Sequence, residues 1–209
     1  MSESEATLPD RRSTYHHGDL RERLLEVVRD LVETHGPEGF SVAEAARRAG
    51  VSTAAPYKHF KDRTDLLNAL VSDAMDRLAG QMAAERDRYP IGTYEAVAGI
   101  GQAYIDFAKT EPGIFRLMFG LTEGHEDEDA LQQKGNLCRE IVETACGACI
   151  GAEATDQAAV LSAYILWTSV HGHAFLSIDK KNKAEADGLK DWHFLMTVTR
   201  AVLDASARR

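Results

Sequence analysis

At 209 residues and 44% hydrophobic content, the chain is long enough for one large domain or two small ones around a real core. A balance of 24 basic against 33 acidic side chains, net -9, argues on average against a nucleic-acid binder. Three cysteines, an odd number, do not suggest a disulfide framework, and an acidic, polar start with no uninterrupted run of eighteen apolar residues speaks against a secreted or membrane-spanning protein. The expected place is therefore a reducing cytoplasm.

The average charge conceals a split. Residues 11–63 carry ten basic and eight acidic side chains plus four histidines, whereas residues 64–209 carry fourteen basic and twenty-two acidic ones. That asymmetry fits a small anion-binding module on a larger acidic body.

In chain order, residues 1–13 are polar and aperiodic and read as a disordered arm. Leu20, Leu24, Val27, Val28 and Leu31 make one stripe of a first helix, Gly18 to His35, which Gly36 and Pro37 stop. Phe40 followed by Ser41-Val42-Ala43-Glu44 reads as a staple and capping box opening a second, two-turn helix that ends at Gly50. Ser52 caps a third short helix running to His59 or Phe60. Asp62 caps a fourth, with Leu66, Leu67, Leu70, Ala74 and Leu78 on one face, extending to about Arg88 before Tyr89-Pro90-Ile91-Gly92 breaks it.

Further helices are expected near 93–109, at 112–119, and over 130–150, 155–178 and 188–206, with an acidic loop at 124–129. No β-alternation of any length is present. The predicted fold is all-α: an N-terminal three-helix helix-turn-helix unit at 14–61, then a larger helical body at 62–209 whose first helix, 62–88, connects the two.

Two short helices joined by Ala-Gly-Val-Ser have the dimensions of a helix-turn-helix, whose second helix presents its first turn to the major groove. Gly50 supplies the turn and Val51 the apolar plug. Thr53, Ala54 and Ala55 are small enough to approach bases, with methyl groups that suit thymine. Pro56 falls at the fourth helical position, where an N-terminal turn tolerates it. Tyr57, Lys58, His59 and Lys61 offer donors suited to phosphates, while Phe60 reads as core. Ser41 is counted with this DNA-facing set. The same spacing also suits an ordinary helical bundle.

The segment Tyr15–Leu70, centred on SVAEAARRAGVSTAAPYKHFKDRTDLL, resembles the DNA-binding domain of the TetR family of transcriptional regulators. The matching positions are Ser41, Val42, Ala45, Ala46, Ala49, Gly50, Val51, Ser52, Tyr57, His59, Phe60, Lys61 and Leu66. The resemblance implies phosphate contacts from Tyr57, His59 and Lys61 and base contacts near Thr53, Ala54 and Lys58. It also implies backbone contacts from His16 and His17, which otherwise read as a solvated polar arm. TEPGIFRLMFG at 110–120 and WTSVHGHAFL at 167–176 resemble the C-terminal domain type named for its Trp, His and Gly, here Trp167, His171 and Gly172. Family resemblance implies a homodimer formed through C-terminal helices, a double-stranded operator and a small-molecule effector, with no cofactor and no metal.

In the body, Trp167, His171, Ala174, Phe175 and Ile178 form one stripe, and Phe107, Phe115, Met118 and Phe119 add aromatic and flexible bulk. This set fits a ligand cavity, although such stripes are more often plain core. Helices 155–178 and 188–206 are long and amphipathic, with Leu189, Trp192, Met196, Thr199 and Leu203 at helical spacing, and are expected to form a four-helix dimer seam from two such pairs, an internal core being the alternative. Cys138, Cys146 and Cys149 share one helix, and packing or a sensor role both remain open for them. The rival readings are a helical small-molecule-binding module and an all-α enzyme, each without DNA affinity; no metalloprotease, nucleophile-elbow or phosphate-loop pattern occurs.

Overall fold

The computed structural model describes residues 17–120, 128–179 and 190–207. Every regular element among them is helical: α1 His17–His35, α2 Val42–Arg48, α3 Arg63–Arg86, α4 Tyr94–Thr110, α5 Pro112–Phe119, α6 Glu128–Ile150, α7 Gln157–Ile178 and α8 Asp191–Ala207. Short 3-10 turns occupy Pro37–Gly39 and Pro56–Lys58. The predicted arm at 1–13, His16, the acidic loop up to residue 127 and Leu189 lie outside the described residues. His17 opens α1.

Helix boundaries follow from local chemistry. The Ser41 hydroxyl accepts from the Glu44 N–H at 3.2 Å, Asp62 accepts from Asp65 N–H at 2.9 Å, and Thr93 accepts from Ala96 N–H at 3.3 Å. Only half of the expected capping box forms, because the Glu44 carboxylate turns to Arg47 and Arg48 on its own helix. At the end of α2, Gly50 adopts φ +71 and its N–H reaches the Arg47 carbonyl, while Val51 N–H reaches Ala46. This is the Schellman pattern that a left-handed residue permits.

The predicted third α-helix is corrected by the structure. Residues 53–55 form turns and only Pro56–Lys58 form a 3-10 turn. Pro56 has no N–H to give the Ser52 carbonyl, so Ala55 N–H takes that carbonyl instead at 3.0 Å, three residues back rather than four. Lys58 and His59 continue the i−3 spacing to Ala55 and Pro56. The first turn after the cap therefore closes with i−3 bonds, and the one α-type bond in this segment is from the Phe60 N–H to the Pro56 carbonyl at 3.0 Å.

α1, α2 and the start of α3 pack around Leu24, Val28, Leu31, Phe40, Val42, Ala45, Phe60 and Leu66. α3 runs on into the body, where it packs against α4, α5 and α6, while α4 lies against α7 and α8. Each fully buried leucine, such as Leu24, Leu66 or Leu78, stabilises the fold by roughly 2 kcal/mol. The buried core is continuous from Leu20 to Leu203.

Candidate DNA-binding surface and effector site

The N-terminal candidates converge on one surface. Thr53, Ala54, Tyr57, Lys58 and Lys61 are exposed, and His59 is half-buried. Tyr57 leaves 58% of its surface in solvent, more than is usual for a residue of intermediate burial such as tyrosine. Ser41 is exposed too, but its hydroxyl already serves the cap of α2. Pro56 and Phe60, alternating with these residues, are buried, and Arg21 lies over the Phe60 ring at 5.4 Å.

Two anchors tie this unit to its neighbours. Arg63 at the start of α3 donates to the Pro37 carbonyl, approaches Glu38, and lies 5.0 Å over Phe40. At the far end of α1, the Glu33 carboxylate accepts from Gly113 N–H at 2.9 Å and from Ile114 N–H at 2.8 Å, capping α5 from another part of the chain. A side chain at residue 113 is excluded, since a Cβ there would lie 2.9 Å from the Val32 carbonyl oxygen. Sequence reading missed Glu33, because nothing local couples residues eighty apart.

The body candidates fall into two groups. Trp167, His171 and Phe175 on α7 and Phe115 and Phe119 on α5 form one aromatic cluster, with His171 4.8 Å from Phe119, 4.8 Å from Phe175 and 5.8 Å from Phe115. Tyr104 of α4 completes it, its hydroxyl 2.6 Å from His171 Nδ1. Phe107 lies apart, buried beneath the Arg77 guanidinium at 5.5 Å, and Met118 packs against the core edge. Tyr104 was within reach of sequence analysis, one turn before Phe107 on the buried side of the same helix.

Electrostatics set the protonation of the pair. Burial lowers the His171 pKa, so its ring is neutral near pH 7. Burial raises that of the Tyr104 phenol, although the Trp167 indole N–H bonds to it and opposes the shift. With the phenol oxygen accepting from Trp167, its O–H donates to His171 Nδ1. The result is an uncharged chain Trp167–Tyr104–His171.

Next to it, sharing Tyr104 and Trp167, lies a partly open cavity of about 30 Å³ walled by Met82, Val97, Ile100, Gly101, Tyr104, Val142, Leu166, Trp167, Val170, Leu195 and Thr199. It shares Trp167 with the predicted ligand set and none of the phenylalanines.

Other polar groups lock the helices together. Arg77 of α3 pairs with Asp73 and with Glu111 before α5. Asp191 accepts from Lys109 at 2.6 Å and meets His173 Nε2 at 3.0 Å; burial opposes its ionisation, but these two partners outweigh it and lower its pKa. The three thiols are pushed up by burial, Cys146 to about 12 and Cys138 and Cys149 to about 11, which keeps them protonated. Cys149 Sγ donates to the Thr93 carbonyl at 3.2 Å. Among the described residues no group of His, Cys, Asp and Glu is placed to hold a metal, and no helix is long and apolar enough to cross a membrane.

The α8 stripe splits: Thr199 and Leu203 are buried beside Leu195, Met196 is half-buried, and Trp192 is exposed, stacking on Tyr89 at 5.8 Å. The outward apolar face belongs to α7 instead, with Val160, Leu161, Tyr164, Ile165 and Leu176 exposed. Gly172 lies on this helix with open space around the position of a Cβ.

Residues 24–70 match the family of bacterial regulatory proteins of the tetR type, and residues 97–199 match the tetracyclin repressor-like C-terminal domain, which takes in both body patches. The chain belongs to the TetR family. Regulators of this family bind DNA and small-molecule effectors and are usually dimers, which points away from an enzyme.

Among similar proteins, a nucleoid occlusion factor SlmA of Haemophilus influenzae is 30% identical over 103 residues, covering 49% of this chain and 47% of its own. The chain thus spans about half the length of the curated relatives it matches. A protein of unknown function from Rhodococcus sp. RHA1 superposes with TM-score 0.77 at 26% identity, covering 93% of this chain and 98% of that one. A tetR-family transcriptional regulator from Streptomyces coelicolor does so with TM-score 0.68 at 21% identity over 93% and 89%, a likeness of fold.

Proposed function

We propose that the protein is a homodimeric transcriptional repressor that binds near-palindromic operators and releases them when a small molecule enters its body. The observation that carries this reading is the surface at 53–61: exposed small side chains at the leading turn, flanked by a solvent-exposed Tyr57 and by Lys58, His59 and Lys61. In it Thr53, Ala54 and Lys58 face base edges, and Tyr57, His59 and Lys61 hold phosphates, with Ser41, His16 and His17 at the margins. Soluble proteins rarely leave apolar faces such as that of α7 bare, and a second copy covering it gives the two-fold needed for paired half-sites.

Release works through α5. Its rings, Phe115 and Phe119, sit against the His171–Tyr104 pair, while its first N–H groups are held by Glu33 of α1. An effector that moves the ring cluster therefore moves the helix that anchors the DNA-binding unit. The coupling available to such a device is ~1 to 3 kcal/mol, enough for a 5- to 150-fold change in operator affinity.

The test is a titration of labelled duplex from upstream of the chain's own coding sequence, with unrelated duplex as competitor, across salt concentrations. The proposal expects specific binding whose log affinity falls with log salt. Equal affinity for the unrelated duplex at every salt concentration contradicts it.

A further inference from the structure

The chemistry of the effector is written in the cavity, an assignment that rests on the reading of the body as an effector site. Five helices contribute to its wall, and no wall residue carries a formal charge. At about 30 Å³ it holds the equivalent of one water, so an effector has to widen it. Trp167 is the most exposed of the wall residues, with 43% of its surface in solvent, which makes it the side chain best placed to yield. An ion entering there exchanges its hydration for apolar walls with no counter-charge.

The polar atoms of the wall divide into used and unused. The Tyr104 hydroxyl is engaged by His171 and Trp167. Thr199 differs: the residue is 2% exposed and lines the pocket, yet its hydroxyl has no hydrogen-bond partner among the described residues, and the pocket leaves its oxygen accessible rather than sealed. Ser162, Ser177 and Thr197 all donate to the carbonyl four residues back, so the usual intrahelical solution is open to a hydroxyl in α7 or α8 and Thr199 has not taken it. A hydroxyl on an otherwise apolar pocket wall is available to bond a polar group brought to it.

We propose that the effector is an uncharged, predominantly apolar molecule carrying one neutral hydroxyl or carbonyl group that bonds to Thr199. Carboxylates, phosphates and ammonium ions are excluded from this cavity.

The experiment titrates the full-length Trp192→Phe variant, in which Trp167 is the one remaining indole, with 1-decanol, 2-decanone, decanoate and decyltrimethylammonium, reading Trp fluorescence. The expected result is that both neutral probes bind at least roughly tenfold more tightly than either ion. Thr199→Val, which keeps the shape, is expected to weaken 1-decanol several-fold, and Val142→Phe, at a half-buried wall position, to block all four. An ion binding as tightly as the neutral probes overturns the proposal, as does binding of none of them or an unaltered Thr199→Val variant. Operator affinity is measured in parallel: selective neutral binding that leaves it unchanged keeps the ligand class and removes the regulatory reading.

Discussion

Tyr57, His59 and Lys61 are donor-bearing side chains set a few residues apart, exposed or half-exposed where Pro56 and Phe60 between and beside them are buried. Their proposed contacts are to phosphate and so contribute affinity without sequence preference. Lys61→Ala is expected to weaken all duplexes alike and to reduce the slope of log affinity against log salt by about 0.9; an unchanged slope removes Lys61 from the contact set. His171 makes a different prediction. Its folded pKa is lowered below 6.5 by burial, so the unfolded chain binds the proton first. The stability associated with the neutral ring is present in full above pH 6.5 and declines as pH falls below it. His171→Gln, whose amide oxygen still accepts from Tyr104 and does not titrate, is expected to flatten that part of a plot of thermal midpoint against pH between about 7 and 5. A parallel curve for the variant assigns the decline to other groups.

Among the elements, most boundaries were legible because caps and breaks are local: Ser41, Asp62 and Thr93 each accept a hydrogen bond three residues on, and Gly36 and Gly50 adopt positive φ where the helices stop. The segment at 52–59 was not, because its cap reads correctly while Pro56, placed where a helix tolerates it, removes the donor that would have closed the first turn. The candidate site was legible in part. Helical periodicity collects Trp167, His171 and Phe175 on one helix, but their meeting with Tyr104 and with α5 depends on packing between segments far apart in sequence. Periodicity also assigns Leu203 and Thr199 to a stripe without saying which way it faces, and the packed chain turns these two residues inward. The Glu33 cap belongs to the same class of non-local fact. Glu33→Gln removes the charge facing the α5 N-terminus and is expected to cost about 1 kcal/mol of stability. Operator affinity without effector is expected to stay near wild type while effector-driven release weakens several-fold. Release equal to wild type, measured by anisotropy of labelled operator, breaks the α5 route.

For the whole molecule, the proposed dimer would reconcile the acidic net charge with the mildly basic residues 11–63, placing two small basic tips on one acidic body. Gly172 has open space in the single chain, although glycine within a helix costs about 1 kcal/mol relative to alanine. A partner helix crossing close at that point gives the residue a reason. Gly172→Trp and Leu161→Glu are both expected to leave the thermal midpoint of the protomer fold within a few degrees while converting the protein to monomer in sedimentation velocity. Two variants that sediment as wild type move the interface away from α7.

A body that senses a molecule and tips that read DNA work as one device only if the tips recognise a defined sequence. Selection of the full-length protein against a pool of random duplexes, followed by titration of the selected duplex, decides that point. Enrichment of an inverted repeat with half-sites about a helical turn apart, bound as a dimer with a steep salt dependence, is the expected outcome. Repeated rounds that enrich no common sequence, with affinity flat across the pool, would overturn the regulator reading.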